Sequence, residues 1–133
     1  MSDEDQVRAV LEKIAESFSN LDFGAWLENF HAQPMILTPD SCMRPTDAAD
    51  AETLMSPTAE LMRARGFTRT SLDTCTVKLL SPTSALASAV FTRFAGEEVL
   101  ERLGATYVLQ KREGGWGVLL VAPHGPDLPV FAT

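Results

Sequence analysis

Apolar and polar side chains alternate with a helical period near the start of the chain. Between positions 7 and 21 the apolar residues recur every three or four positions, which predicts an amphipathic helix over residues 3–20. Acidic side chains fill its first turn, where they stabilise the positive end of the helix dipole. A second helix is predicted to begin after Asp22, a good N-cap residue, and to be stopped by Pro34.

Proline and glycine punctuate the segment that follows. Residues 35–38 form a short apolar run typical of a strand, and a loop is expected over residues 39–46. A third helix is predicted to begin near Asp47 and to end before Gly66, which suits the left-handed position after a helix. Pro57 is expected to interrupt this helix, because proline lacks a backbone donor and fits best in a first helical turn.

From residue 68 onward the period of apolar positions changes to two, which predicts β-strands. Four such runs are separated by short turns, and they span residues 69–80, 84–94, 99–111 and 115–122. The order is therefore three helices with one early strand, followed by a four-stranded meander. This order predicts an α+β fold with the helices on one face of an antiparallel sheet. The length fits a single domain over residues 1–133.

The short turns also predict the strand register, since hairpin length fixes which residues pair. Three pairings, 80 with 85, 94 with 99 and 111 with 116, divide the side chains between two faces. The bulkier face is predicted to meet the helices, and it holds Asp73, Tyr107, Leu120, His124 and the even-numbered positions 86–94. The other face is too apolar for full solvation and suits a subunit interface. Its predicted contact residues are Thr76, Ala89, Phe91, Arg93, Val108 and Leu119.

The chain also resembles a known superfamily over nearly its whole length. The matching features are the strand at 35–38, the helix end Ala64-Arg65-Gly66-Phe67, and the hairpin Thr106–Trp116 followed by Val121-Ala122-Pro123-His124. In these it resembles the nuclear transport factor 2-like superfamily, also called the SnoaL-like or cystatin-like α+β cone. The resemblance implies three N-terminal helices packed on a strongly curved, mostly antiparallel mixed sheet. It further implies an open-ended cavity and, usually, a homodimer through the outer face of the sheet.

The resemblance does not fix a function, because one fold hosts many unrelated chemistries. The superfamily includes ketosteroid isomerases, dehydratases, epoxide hydrolases, polyketide cyclases and transport adaptors. The isomerase pattern requires a tyrosine on the first helix, whereas the single tyrosine of this chain, Tyr107, lies on a predicted strand. The Asp-Arg-Asp pattern of the hydrolases is not evident either. No catalytic residue is therefore assigned by motif.

The charge of the chain narrows the class of partner. Its 133 residues include 18 acidic and 11 basic side chains, a net charge of −7, which opposes binding to nucleic acid or to an anionic membrane surface. No apolar run reaches the ~18–20 residues of a membrane-spanning helix, and the chain does not begin with a secretory signal pattern. We therefore expect a cytoplasmic protein that does not associate with membranes.

Neither a metal nor a cofactor is expected from the sequence. The two cysteines and two histidines, Cys42, Cys75, His31 and His124, show no paired spacing of the kind that holds zinc. Two cysteines also make no disulfide framework. No glycine-rich phosphate-binding loop is present, since Gly114-Gly115 forms a predicted hairpin turn.

Four residues are candidates for acid–base chemistry. In the predicted register His124 is a diagonal neighbour of Glu101, ~7–8 Å away, so that the carboxylate would orient the imidazole as a general acid or base. Tyr107 on the same face could donate to a ligand oxygen or a developing oxyanion, and Asp73 is a further candidate base. Each also has a purely structural interpretation, as a solvated pair, a satisfied buried tyrosine or an ordinary strand-starting aspartate.

The leading hypothesis is a small-molecule-binding protein with an apolar cavity between the helices and the sheet. Its predicted wall residues are Trp26, Phe30, Met35, Tyr107, Leu120 and His124. The alternative is a cofactor-independent isomerase, dehydratase or cyclase that uses the acid–base residues named above. A further alternative is a structural or interaction module whose cavity is closed.

Overall fold

Three helices precede most of the strands in the structure, a computed structural model that describes residues 1–128. In chain order the elements are α1 (Asp3–Ser19), α2 (Phe23–Leu27), β1 (Phe30–Leu37), β2 (Cys42–Met43), α3 (Ala48–Ala64), β3 (Arg69–Ser81), β4 (Ser84–Ala95), β5 (Glu98–Arg112) and β6 (Gly115–His124). Within the described range no helix is long and apolar enough to cross a membrane. The predicted domain, residues 1–133, includes residues 129–133, which lie outside that range.

Six strands form one mixed sheet in the order β2-β1-β6-β5-β4-β3. Strands β3 to β6 pair with their neighbours in sequence as an antiparallel meander, and β1 joins the sheet by pairing in parallel with β6. Helix α1 packs chiefly against β3, and α2 packs against α3. The predicted fold class is therefore confirmed: α+β, with three N-terminal helices on a mostly antiparallel mixed sheet.

Helix α1 lays an apolar stripe on the sheet, as its helical spacing predicts. Val7, Leu11, Ile14 and Phe18 are all buried on this stripe, and each large apolar side chain contributes ~1.5–3 kcal/mol when fully buried. The Ser2 hydroxyl caps the helix by accepting a hydrogen bond from the backbone N–H of Asp5, 3.1 Å away. The helix thus covers one face of the strands at the N-terminal side of the core.

The first residue of α1 ties the helix to the last hairpin. The Asp3 carboxylate accepts hydrogen bonds from Lys111 Nζ at 3.0 Å and from Trp116 Nε1 at 3.1 Å. These two donors, Lys111 first, lower the pKa of the Asp3 carboxyl below its ordinary value. The ring of Trp116 is buried, and the Asp3 carboxylate supplies the acceptor that its indole N–H needs.

The second helix is shorter than the predicted span that Pro34 would stop, and a strand starts earlier. Asp22 caps α2 as predicted, but the helix ends at Leu27, because the side-chain amide of Asn29 donates to the carbonyls of Ala25 and Trp26. Those bonds satisfy the helix end and release the chain into β1. The helical spacing of Trp26 and Phe30 reflects a contact across this turn, with ring centroids 4.7 Å apart.

Helix α3 runs through Pro57 without the predicted interruption. Proline at position 57 leaves the carbonyl of Thr53 without its usual N–H partner, and the Ser56 hydroxyl donates to that carbonyl at 2.9 Å instead. Asp47 caps this helix as predicted, with its carboxylate accepting from the N–H of Asp50. The predicted loop over residues 39–46 contains the two-residue strand β2, which pairs with the end of β1.

His31 anchors β1 against the meander. It lies on β1 and not on a helix, and its Nε2–H donates to the backbone carbonyl of Gln110 at 2.7 Å. The imidazole ring covers Gly117, where an added Cβ would come within 2.7 Å of the ring. The pairing of β1 with β6, which joins β1 to the sheet, therefore depends on the glycine at position 117.

We expect Gly117→Ala to destabilise the fold by about 1–3 kcal/mol, because the methyl group overpacks the His31 ring. Urea denaturation followed by circular dichroism measures the loss. Gly114→Ala is the matched control, since a Cβ there meets no atom within 4 Å. A Gly117→Ala variant as stable as the control would contradict the packing of His31 on β6.

Candidate functional site

A cavity of about 640 Å³ lies between the helices and one face of the sheet. Its size falls within the ~300–1,000 Å³ typical of small-molecule sites. Most of its wall is aromatic, aliphatic or thioether; these residues include Ile14, Phe18, Trp26, Ile36, Met55, Met62, Phe91, Leu103 and Val121. Polar groups enter the wall at few places, chiefly on β4, β5 and the end of α3. The strand register decides which polar groups these are.

One extra residue in β5 reverses the predicted orientation of β4. Phe94 pairs with Val99 as predicted, but Arg93 pairs with Glu101, so Leu100 is a β-bulge. Since side chains alternate along a strand, the bulge inverts every position of β4 relative to β5. The odd-numbered positions of β4 face the helices; they are Ala85, Ala87, Ala89, Phe91 and Arg93. The prediction that even-numbered positions 86–94 face the helices is therefore wrong.

A second bulge, at Leu119, changes the end of β6. Leu109 pairs with Val118 in the predicted register, but Val108 pairs with Leu120 and Tyr107 with Val121. Val121 and Pro123 consequently line the cavity. Leu120 and His124, which were predicted to face the helices, lie on the opposite face of the sheet for the same reason.

The predicted subunit interface is corrected in the same way. Ala89, Phe91 and Arg93 face the helices, and the last two line the cavity. Thr76 and Val108 each pair with an even-numbered position of β4. Both therefore lie on the face away from the helices, as predicted. Leu119 is the bulged residue itself.

Two of the six predicted wall residues line the cavity, namely Trp26 and Tyr107. Phe30 is buried behind Trp26 and belongs to the core. Met35 pairs with Leu120, and both face away from the cavity, whereas their neighbours Ile36 and Val121 line it. Trp26 and Tyr107 are therefore placed correctly, whereas Met35, Leu120 and His124 each lie one position away from a residue that lines the cavity.

Tyr107 supplies a hydroxyl group to an otherwise apolar part of the wall. Its side chain is 4 % exposed, and none of the side-chain hydrogen bonds described among residues 1–128 involves its hydroxyl. Burial raises the pKa of this phenol well above its ordinary value, so the group stays protonated at neutral pH. A protonated hydroxyl that is not engaged by any group of the described residues is a donor available to a ligand oxygen.

Glu101 on the cavity wall is held by two arginines. Its Oε1 accepts from the guanidinium of Arg93 at 2.9 Å and from that of Arg65 at 3.2 Å. Arg93 also stacks its guanidinium on the Phe18 ring, 4.5 Å from the centroid. All three charged side chains line the cavity. Glu101 is thus a member of an ion cluster and not a neighbour of His124.

His124 belongs to a hydroxyl network on the opposite face of the sheet. It pairs with Gly104, its Nδ1 lies 2.8 Å from the carbonyl of Gly125, and its Nε2 lies 2.8 Å from the hydroxyl of Thr106. The Thr106 hydroxyl in turn contacts Ser88 Oγ at 3.2 Å. The predicted pair of His124 with Glu101 does not form, because the bulges place the two side chains on different faces.

Asp73 also faces away from the cavity. It is the extra residue of a third bulge, between the pairs of Leu72 and Thr74, and its carboxylate accepts from the hydroxyls of Ser71 and Thr92. Thr92 alternates with the cavity residues Phe91 and Arg93 and so lies on the other face. The two hydroxyl groups satisfy the Asp73 carboxylate locally, although Asp73 lies within β3 and does not start the strand.

Metal ligands do not come together in the described part of the chain: no three side chains of His, Cys, Asp or Glu form a group that could hold an ion.

Cys75, which lies on the helix-facing side of β3, pairs with Ala89. Burial raises the pKa of its thiol to about 11. The thiol is therefore less readily ionised than that of an exposed cysteine, which lowers its reactivity.

The two arginines of the cavity were missed by the sequence analysis. Arg93 was assigned to the outer face, and Arg65 appeared only as part of a helix end. The apolar doublet Val99-Leu100 interrupts the alternation of β5, and the apolar run Val118–Val121 does the same in β6. Such interruptions are the sequence signal that could have located the bulges.

The chain belongs to the family described as NTF2-like protein (DUF6841), whose pattern matches residues 3–126. The predicted superfamily is thereby confirmed. No curated protein sequence matches the chain.

Solved structures share the fold at low sequence identity. An NTF2-like protein with a cystatin-like fold from Novosphingobium aromaticivorans superposes with a TM-score of 0.76 at 14% identity, over 96% of this chain and 84% of that one. A domain of unknown function with a cystatin-like fold from Nostoc punctiforme gives 0.72 at 16% identity, over 96% and 79%. Aln2 from a Streptomyces species gives 0.72 at 18% identity, over 93% and 90%. At these identities the similarity concerns the fold alone.

The two cysteines offer a test of the site geometry. At pH 8 we expect a chromogenic disulfide reagent to modify exposed Cys42 rapidly and to leave Cys75 unmodified, because roughly 0.1% of a thiol with pKa about 11 is ionised there. Absorbance counts the modified thiols. Cys42→Ser should remove the rapid phase, and guanidinium chloride should expose Cys75 in both proteins. Rapid modification of Cys75 in the folded chain would contradict the half-buried position of its thiol on the helix-facing side of β3.

Proposed function

We propose that this protein binds a small, largely apolar molecule in the cavity between its helices and its sheet. The observation that carries the proposal is the cavity itself, about 640 Å³ in volume, with an aromatic, aliphatic and methionine wall. Water molecules form few hydrogen bonds in such a space, because few wall groups can bond to them. An apolar ligand that enters the cavity would release this water. The methionines Met43, Met55 and Met62 give the wall an adaptable surface.

Acid–base catalysis, the predicted alternative, is less well supported than binding. The proposed base His124 and its partner Glu101 lie on different faces of the sheet, and Asp73 lies outside the cavity. Tyr107 and Glu101 remain on the cavity wall, but Oε1 of Glu101 already accepts from two guanidinium groups. A binding protein needs only the wall and its few donors, so binding is the function that this geometry supports best.

Filling the cavity provides the test of binding. Ala15 on α1 and Ala105 on β5 both line it, so Ala15→Leu and Ala105→Leu place a bulkier side chain inside from opposite walls. A ligand at 100 times its Kd stabilises the folded chain by ~2.7 kcal/mol. We expect apolar ligands found in a thermal-shift screen of the parent chain to lose this effect in both variants.

Ala64→Leu is the matched control, because it makes the same chemical change at an exposed position of α3 that does not line the cavity. The control should keep the full thermal shift. A library of apolar compounds that shifts no transition in the parent chain, or equal shifts in the filled variants, would contradict binding in the cavity.

We also propose that the chain forms a homodimer through the face of the sheet that points away from the helices. Leu86, Val90, Val108 and Leu120 are half-buried apolar residues of this face, and a second copy offers the same apolar surface in return. The resemblance to the cone superfamily implies the same arrangement.

Val108→Arg should convert the dimer to a monomer, because two like charges would meet near the centre of the proposed interface. Light scattering after size-exclusion chromatography should then give the chain mass of 14.5 kDa for the variant and twice that for the parent. Leu54→Arg, on the exposed side of α3, is the control and should remain dimeric. A parent chain of 14.5 kDa would contradict the dimer.

A further inference from the structure

The wall of the cavity carries a positive charge although the chain as a whole is acidic. Among the described residues, its charged lining side chains are Arg65, Arg93 and Glu101, two cations and one anion. The whole chain has a net charge of −7. The charge of the cavity wall therefore has the opposite sign to that of the molecule, which favours an anion at this place over the rest of the surface.

Both cations compete for one carboxylate oxygen. Arg93 and Arg65 each direct an Nη1–H to Oε1 of Glu101, and Arg65 adds a bond from its second nitrogen to the carbonyl of Leu100 at 3.2 Å. A guanidinium group has five N–H donors, and the Arg93 side chain is only 18 % exposed. Its remaining donors are therefore largely withdrawn from bulk water at the edge of an apolar space. One further anionic oxygen would complete the cluster and neutralise it.

The second polar point of the wall lies farther along the same strand. Glu101, Leu103, Ala105 and Tyr107 occupy alternate positions of β5 and all line the cavity. Leu103 and Ala105 thus form an apolar floor between the ion cluster and the Tyr107 hydroxyl. A molecule that lies along this floor meets a positive end, an apolar middle and a hydrogen-bond donor, in that order.

We propose that the cavity binds a monoanionic organic acid whose apolar body lies along Leu103 and Ala105. Its carboxylate bonds to Arg93 and Arg65, and an acceptor oxygen at its far end accepts from the hydroxyl of Tyr107. This inference rests on the proposed binding function and specifies the chemistry of the ligand. Glu101 holds the two arginines in place and limits the cavity to ligands of a single negative charge.

Matched probes separate the contributions of charge, apolar body and distal oxygen. Decanoic acid, decanol and ω-hydroxydecanoic acid are compared at pH 7 by their displacement of the uncharged fluorophore N-phenyl-naphthylamine. Hydrogen bonds to a charged group contribute enough to make the acid bind the parent chain ~10-fold or more tighter than the alcohol. The distal hydroxyl should add ~2–10-fold for the hydroxy acid, the range of a single neutral hydrogen bond.

Variants with opposite expected signs distinguish ligand binding from structural support. Arg93→Gln should abolish the preference for acid over alcohol, and Arg65→Gln, a second variant at the same cluster, should reduce it. Glu101→Gln should instead increase that preference several-fold, because it removes the internal anion that shares the two guanidinium groups. Tyr107→Phe should remove the advantage of the hydroxy acid and leave decanoic acid unchanged. Circular dichroism identifies the variants that fold.

The outcomes separate this inference from the proposed function. If the fluorophore binds and acid and alcohol displace it equally, the cavity binds apolar molecules without selecting an anion, and the inference is overturned. Unchanged acid preference in a folded Arg93→Gln variant, or a reduced preference in Glu101→Gln, overturns it as well. If neither the fluorophore nor any of the three probes binds, the proposed function fails together with the inference.

Discussion

The extra residue that β5 carries at Leu100 decides which side chains reach the cavity. Side chains along a strand alternate between the two faces of the sheet. One unpaired residue therefore moves every side chain beyond it to the opposite face relative to the neighbouring strand. Because of this bulge, Arg93 and Glu101 lie opposite each other on the face toward the helices. Without it, Thr92 would take the place of Arg93, and a cation would be lost from the cavity wall. The charge of the site is therefore a consequence of strand geometry.

The other polar groups of the site follow from the same geometry. The bulge at Leu119 brings Val121 and Pro123 onto the wall and sends His124 to the far face, where Thr106 and the carbonyl of Gly125 satisfy it. The apolar floor of β5 and its terminal tyrosine keep their alternation because no bulge falls between Glu101 and Tyr107. Glu101, which holds the two arginines, and Tyr107 are thereby placed on the same face of one strand, which suits recognition of an extended molecule.

The ion cluster compensates a positive charge that is partly withdrawn from water. A half-buried guanidinium must be compensated, and Arg93 obtains this from Glu101 and from the face of Phe18. Phe18 belongs to the stripe of α1, so the helix that covers the sheet also supports the cation. Some of the buried side chains that pack α1 on the strands therefore also form part of the cavity wall.

Much of the fold could be predicted from the sequence because periodicity is a strong signal over long elements. The stripe of α1, the caps Asp22 and Asp47 and the four long strands were all predicted from the sequence. The site could be predicted only in part. Trp26 and Tyr107 were placed on the cavity wall, whereas Arg93 was assigned to the wrong face. A single bulged residue changes no propensity, yet it reverses the facing of a whole strand.

A crystal structure of the chain with decanoic acid would show directly on which face of the sheet Arg93 lies and whether it binds the acid. We expect the carboxylate within ~2.7–2.9 Å of a guanidinium nitrogen of Arg93, with the alkyl chain along Leu103 and Ala105 toward Tyr107. An Arg93 side chain on the outer face of the sheet, or an acid bound elsewhere while the cavity holds only solvent, would contradict it.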